Sequence, residues 1–229
     1  MLLSKLVYLT VKNTVYFDDK SFNFQNFKRQ AFEDSPDYAQ NIVNAFTPIN
    51  EAIARLSDLE KIPYRVDEVA VSDISNGVIQ FAKLKKPVKE IVSVAQLYGD
   101  SEYRLLEWRA FGIDQIRVAS PIDPYRPVVV EYKEDIPQFD ESSYDYGFEI
   151  EGGEYIETYS DDVELKDFGI TDSMCNFIME YAQGKLNEPM AAELANMHIT
   201  RAEQYFKNIT PVQSAFVQRV VQPMYTIGD

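Results

Sequence analysis

The chain has 229 residues, 45 % of them apolar and 26 % charged, with 22 basic and 37 acidic side chains and a formal net charge of −15. That length and composition suit one domain or two small ones, exclude wholesale disorder, and are enough to bury a core without staples. The single cysteine, Cys175, excludes a disulfide framework within the chain.

No apolar run approaches the roughly 18 residues needed to span a bilayer. The opening MLLSKLVYLTVKNTVYF is interrupted by Lys5 and Lys12 and has no small-residue cleavage site, so no signal peptide is expected, and the protein should be soluble and intracellular when made. The charge is uneven. Residues 1–130 carry 16 basic and 17 acidic side chains, residues 131–167 carry 2 and 14, and residues 168–229 carry 4 and 6. Phosphate binding by counterion release needs clustered Lys and Arg, and this chain has no such cluster. The charge therefore argues against tight DNA binding and against attraction to an anionic membrane.

In chain order, residues 1–33 form a strand or arm. Leu6-Val7-Tyr8-Leu9-Thr10-Val11 is strand-like, and Ser21 to Phe27 alternates polar and aromatic at period two. This is an edge strand or arm, or a segment that pairs with another subunit by strand addition. A helix then starts at Pro36, capped by Asp34 or Ser35, with Asp37 placed for the helix dipole. Tyr38, Ile42, Ala45, Phe46, Ile49, Ile53 and Leu56 give it one apolar stripe. Pro48 should kink it or split it after Thr47, and it ends before Pro63.

Residues 63–133 read as four to six short strands in an antiparallel sheet or sandwich: Val66 to Val71, Val78 to Phe81 after the Asn76-Gly77 turn, Val88 to Val94, Tyr103 to Trp108, Gln115 to Val118, and Pro127 to Tyr132. Residues 134–167 are an acidic loop or hairpin, with Tyr144, Tyr146, Tyr155 and Tyr159 among the carboxylates and Gly152-Gly153 at the tip. Two helices follow. One runs from a cap at Thr171 to Leu186, and one from Glu188-Pro189 to Asn208, the latter with an apolar face of Met190, Leu194, Met197 and Tyr205. The tail, residues 210–229, is apolar and has no obvious partner in that hairpin. The fold class expected is α+β: a small helical bundle (34–62 and 168–209, one long helix plus a C-terminal helical hairpin) with an inserted antiparallel β domain (63–133) and an acidic loop.

Chemical motifs are scarce. The one histidine, His198, lies in the last helix with Glu193 and Glu203 five residues to either side, which is not the spacing of a helical metal site. There is no G-x-S-x-G elbow, no C-x-x-C, no complete phosphate loop and no EF-hand order. No enzyme, cofactor or metal is expected.

The order of elements resembles the head-to-tail adaptors of tailed double-stranded DNA phages, the podovirus-type, tail-tubular-protein-A-like group. The matching pieces are Leu84 to Val94, including Lys86-Pro87-Val88-Lys89-Glu90-Ile91, then Val128 to Tyr132, the acidic loop, and Asp172 to Ile209. Together they cover residues 34–209. The resemblance implies a virion neck protein, assembled in the host cytoplasm, that forms a ring of twelve subunits between the portal and the tail or further neck proteins. DNA would pass through its lumen without specific binding.

Two sets of residues are candidates for that role. The carboxylates Asp140, Glu141, Asp145, Glu149, Glu151, Glu154, Glu157, Asp161 and Asp162 form an acidic channel or interface segment, because like charge multiplied by copy number repels phosphates. Phe216, Val217, Val220, Val221, Met224 and Tyr225 are anchors for docking on the portal, because spare apolar surface marks an interaction site. The alternative is an acidic DNA mimic that occupies a phosphate-binding enzyme. It needs carboxylates spread over a large face rather than gathered in one segment.

Overall fold

In the computed structural model the described residues are 1–12, 14, 36–98, 102–143, 145–151, 154–160, 162–214 and 216. The fold is mixed α+β, with helices and antiparallel sheets. Helices α1 (Leu3–Lys12) and α2 (Pro36–Asp58) precede the strands β1 (Arg65–Val69), β2 (Val78–Gln80), β3 (Val88–Tyr98), β4 (Glu102–Leu105), β5 (Trp108–Ala110), β6 (Gln115–Val118) and β7 (Val128–Glu134). A hairpin of β8 (Asp145–Glu151) and β9 (Glu154–Ser160) follows, then α3 (Asp172–Asn187) and α4 (Ala192–Asn208). The chain divides into two compact units. One is Met1–Ile62 with Pro137–Pro211, and the other is Pro63–Ile136 with the chain from Val212 onward.

In the first unit the apolar periodicity of α2 is matched by burial. Ile42, Ala45, Phe46, Ile49, Ala52, Ile53 and Leu56 are all buried. The helix passes through Pro48 without splitting. A proline inside a helix costs about 3 kcal/mol, and burying each large apolar side chain returns roughly 1.5–3 kcal/mol, so the continuous stripe holds the helix together. Arg55 ties α2 to the later helices. Its guanidinium binds both oxygens of Glu203, at 2.7 and 3.2 Å, and lies over the Phe206 ring at 4.6 Å. The expected caps Asp34 and Ser35, and the alternating stretch 21–27, lie outside the described residues.

Helix α3 begins at Thr171, whose hydroxyl accepts from the Met174 amide, as its sequence predicts. Two other expectations are corrected. Leu6–Val11 belongs to helix α1 and not to a strand. The less buried positions, Lys5, Leu9 and Lys12, fall at four- and three-residue steps, a helical period, but the β-branched Val7, Thr10 and Val11 bias the short run toward strand. The second correction concerns α4, which starts at Ala192 and buries Ala195, His198 and Ala202. Met190, Met197 and Tyr205, expected to face the core, are exposed. The cause is close packing on α3. A Cβ placed at Gly184 would sit 2.6 Å from Ile199 Cδ1 and 3.3 Å from the Ala195 carbonyl oxygen, so small residues line the contact.

The second unit holds a four-stranded sheet in the order β1-β7-β3-β4 and a three-stranded sheet in the order β2-β6-β5, both antiparallel. One core joins them, built from Val69, Ile91, Val94, Val128, Val130 and Tyr132 of the first sheet and Ile79, Ile116 and Val118 of the second. The stretch Tyr103 to Trp108, expected as one strand, breaks at Leu106-Glu107 and passes from one sheet to the other. That is how a sandwich turns its corner. Asn76 and Gly77 both take positive φ, 52° and 75°, in the predicted tight turn before β2.

Candidate functional site

Strand β7 reads Val-Val-Val-Glu-Tyr-Lys-Glu, and its alternation is hidden because both faces are buried. Val128, Val130 and Tyr132 face the sandwich core. Val129 pairs in register with Ala95 of β3, and the two pack with Phe216 on the opposite face of the sheet. Tyr103 of β4 completes this patch, its ring meeting Phe216 edge-on at 5.0 Å. Glu131 is 1 % exposed and its carboxylate accepts from Ser93 Oγ at 2.8 Å and from Ser214 Oγ. Phe216 N donates to Ser214 Oγ at 3.3 Å. A buried carboxylate is stable only with such donors. Ser214 and Phe216 thus lie on the face of the four-stranded sheet opposite the sandwich core, as an arm. Residues 210–214 carry neither helix nor strand.

Phe216 was expected as a free anchor for a partner, and here it is spent inside the chain at 6 % exposure. The other tail anchors, Val217, Val220, Val221, Met224 and Tyr225, lie outside the described residues. Glu131, Ser93 and Tyr103 were missed from the sequence. The available signal was a carboxylate in the middle of a strand too apolar to have a wet side.

The acidic segment is built in three parts. Asp140 and Glu141 are exposed ahead of β8. The Ser142 hydroxyl and amide, at 2.6 and 2.9 Å, hold the Asp140 carboxyl below the usual carboxylate range, with help from Ser143. The β8–β9 hairpin comes next, with Glu151 opposite Glu154 and Tyr146 opposite Tyr159. The tip residues 152 and 153, and Asp161, lie outside the described residues.

The third part is the base of the hairpin. Asp162 accepts from the Ser4 amide at 3.2 Å and from the Ser4 hydroxyl. Leu3 N donates to the Val163 carbonyl at 2.9 Å and Leu165 N to the Met1 carbonyl at 3.1 Å. Asp162, which is half-buried, therefore satisfies a free amide in the first turn of α1.

A second polar cluster lies under the turn before β3. Tyr132 OH donates to Asp67 Oδ2 at 2.7 Å, and the Lys85 amide donates to the same oxygen at 2.7 Å. Burial works to raise the Asp67 pKa, but the Lys85 amide, the Tyr132 hydroxyl and the Lys85 ammonium together bring it below the ordinary value. Burial and the neighbouring Asp67 carboxylate push the Tyr132 phenol well above its ordinary value. Glu134, also buried, pairs with Arg65 at 2.6 Å and Lys86 at 3.9 Å. The cluster explains the Lys-Lys-Pro run structurally. Its lysines close over buried carboxylates, and the Pro87 carbonyl accepts from the Asp135 amide at 2.9 Å. Glu134 Oε1 is buried without a hydrogen-bond partner and has only the Lys86 ammonium 3.9 Å away, while the Asp67 carboxylate and Glu134 Oε2 are held by Lys85, Tyr132 and Arg65, so the cluster ties edge strand β1 to its neighbours.

His198 is buried, with Nδ1 2.7 Å from Glu180 Oε2. Cys175 is buried too, and desolvation pushes its thiol up to about 11, far from a reactive thiolate. Among the described residues no three His, Cys, Asp or Glu side chains are grouped to hold a metal ion. No helix among them is long and apolar enough to cross a membrane. No protein-family model matches the chain, and no curated protein or solved structure matches it significantly.

Proposed function

We propose that the chain is a head-to-tail adaptor, a structural subunit that assembles in copies as a ring between the portal and the tail of a tailed phage. The element order supports this reading: long helix, β sandwich, acidic hairpin and helical hairpin follow one another as in the adaptor group that the sequence resembles. The helical unit is drawn from two separated stretches with the β unit between them, which fits a helical bundle carrying an inserted β domain.

The observation that carries the proposal is the β8–β9 hairpin. It pairs with no further strand among the described residues, and its two strands carry five carboxylates and four aromatic residues in sequence. A two-stranded hairpin is marginal alone in water, so one this rich in aromatic residues gains from a neighbour that covers it. In a ring, these carboxylates repeated around the axis make a collar that repels phosphate and lets DNA slide. A DNA mimic would spread carboxylates over a broad surface, whereas here they gather on one hairpin and its flanks. The test is electron cryomicroscopy of the virion neck. The reading expects this chain in a closed ring next to the portal, and a neck without it overturns the reading.

A further inference from the structure

The three-stranded sheet β2-β6-β5 turns one side to the sandwich core through Ile79, Ile116 and Val118. Its register fixes what the other side carries. Val78 of β2 lies opposite Arg117 of β6, and Arg117 lies opposite Arg109 of β5. In the next row Gln80 lies opposite Gln115. Phe111, whose amide donates to the Gln115 carbonyl at 3.0 Å, extends that row past the end of β5. The Arg117 guanidinium stacks on the Phe111 ring, 3.8 Å from its centroid.

Like charges directly opposite one another across a strand pair are destabilising. Among the described residues neither Arg109 nor Arg117 forms an ion pair, although the chain carries 37 acidic side chains. Glu107, two residues before Arg109 and bonded to β6 through its carbonyl, pairs with neither. The Arg117 Nε is buried with no acceptor. Arg109 is on an edge strand, where a charge discourages the addition of further strands. That reason does not extend to Arg117, which is on the central strand. The fold thus leaves two facing cations without a counter-charge.

Their chemistry selects what they take. A guanidinium presents its donors in one plane, and stacking on Phe111 holds that plane, which suits a planar carboxylate. Nucleic acid is held by a longer series of cations than two. Small ligands settle in concave sites, whereas this is the open side of a sheet. Beside the pair, Phe111 is 39 % exposed and Ile113 is 97 % exposed. Arginine next to bare aromatic and aliphatic side chains is the composition of a protein contact. We propose that this side of the sheet is a docking surface for an acidic segment of a partner protein. Arg109 and Arg117 share its carboxylate, and Phe111 and Ile113 pack beside it. The inference rests on this face alone and does not require a phage neck.

The test uses the full chain and a fluorescein-labelled peptide of alternating glutamate and tyrosine, read by fluorescence anisotropy. The expected result is saturable binding, about tenfold weaker for each of Arg109→Gln and Arg117→Gln, and lost when the peptide's glutamates become glutamines. No binding by the unaltered chain overturns the proposal, as does equal binding by the doubly altered chain or of the glutamine peptide. Single-stranded DNA in place of the peptide is expected not to bind. DNA binding that the two substitutions abolish makes the face a phosphate site and overturns the proposal. Removing like charges from a register pair should leave the thermal midpoint unchanged or raise it, so the altered chain is expected to keep its fold. Should it unfold, the arginine Nε–H resonances of the unaltered chain decide. Those of Arg109 and Arg117 are expected to shift saturably with the peptide while that of the exposed Arg104 stays in place. Unmoved Arg109 and Arg117 signals overturn the proposal.

Discussion

Ser214 donates its hydroxyl to Glu131, a carboxylate sealed in the middle of β7 that also takes Ser93 Oγ at 2.8 Å. The terminal arm is therefore coupled to the most buried strand of the β unit. Hydrogen bonds to charged groups contribute about 1.5–3 kcal/mol, so Ser214→Ala should lower stability by about that much in chemical denaturation. It should also speed proteolytic cutting within residues 212–216. An unchanged denaturation midpoint would show that the arm does not bear on the sheet.

The Asp67–Tyr132 pair predicts a dependence on pH. The folded-state pKa of Asp67 is lowered, so its contribution is present above the unfolded aspartate value of about 3.9 and disappears as pH falls through the lower folded value. Asp67→Asn should flatten the acid limb of a stability–pH curve. The folded-state pKa of Tyr132 is raised, so its contribution is present below the unfolded tyrosine value of about 10 and is lost as pH rises beyond it. Tyr132→Phe should flatten the alkaline limb and, by leaving a buried carboxylate short of one donor, cost about 1–3 kcal/mol at neutral pH.

At Gly184 the close approach of α3 and α4 sets opposing effects. Ala is the better helix former by about 1 kcal/mol, but its Cβ would press on Ile199. Gly184→Ala should therefore change the thermal midpoint little, while Gly184→Val should cost roughly 1–3 kcal/mol through overpacking. Adding Ile199→Val to the latter should restore part of the loss, which a double-mutant cycle measures.

Gly77 meets both a steric and a conformational limit. Its φ is 75°, and a Cβ there would lie 2.8 Å from the Val118 carbonyl oxygen. Gly77→Ala should destabilise by about 1–3 kcal/mol, the range for a side chain forced into the left-handed region. Amide exchange in β2 and β6 should rise with it.

What the sequence made legible followed local chemistry. Thr171 before α3, the Asn76-Gly77 turn and the stripe from Ile42 to Leu56 each carry their signal within a few residues. The strand reading of Leu6 to Val11 failed because β-branched residues in a six-residue window outweighed the helical spacing of Lys5, Leu9 and Lys12, and the face of α4 was misplaced because alanines, not the larger Met197 and Tyr205, met α3. For the candidate site, the hairpin was legible from Tyr144, Tyr155 and the glycine pair. The role of Asp162 was not, because its partner Ser4 is distant in the chain. Nor was the arm's groove, since Ser93, Tyr103 and Glu131 meet Ser214 and Phe216 only through tertiary packing.

The central claim is that copies of this chain assemble around a portal. The most direct measurement is the native mass of the full chain mixed with the portal protein of the phage proposed to carry it. The account predicts a complex that carries a closed ring of 26.4-kDa subunits. A chain that stays at the mass of one copy beside an intact portal would contradict it.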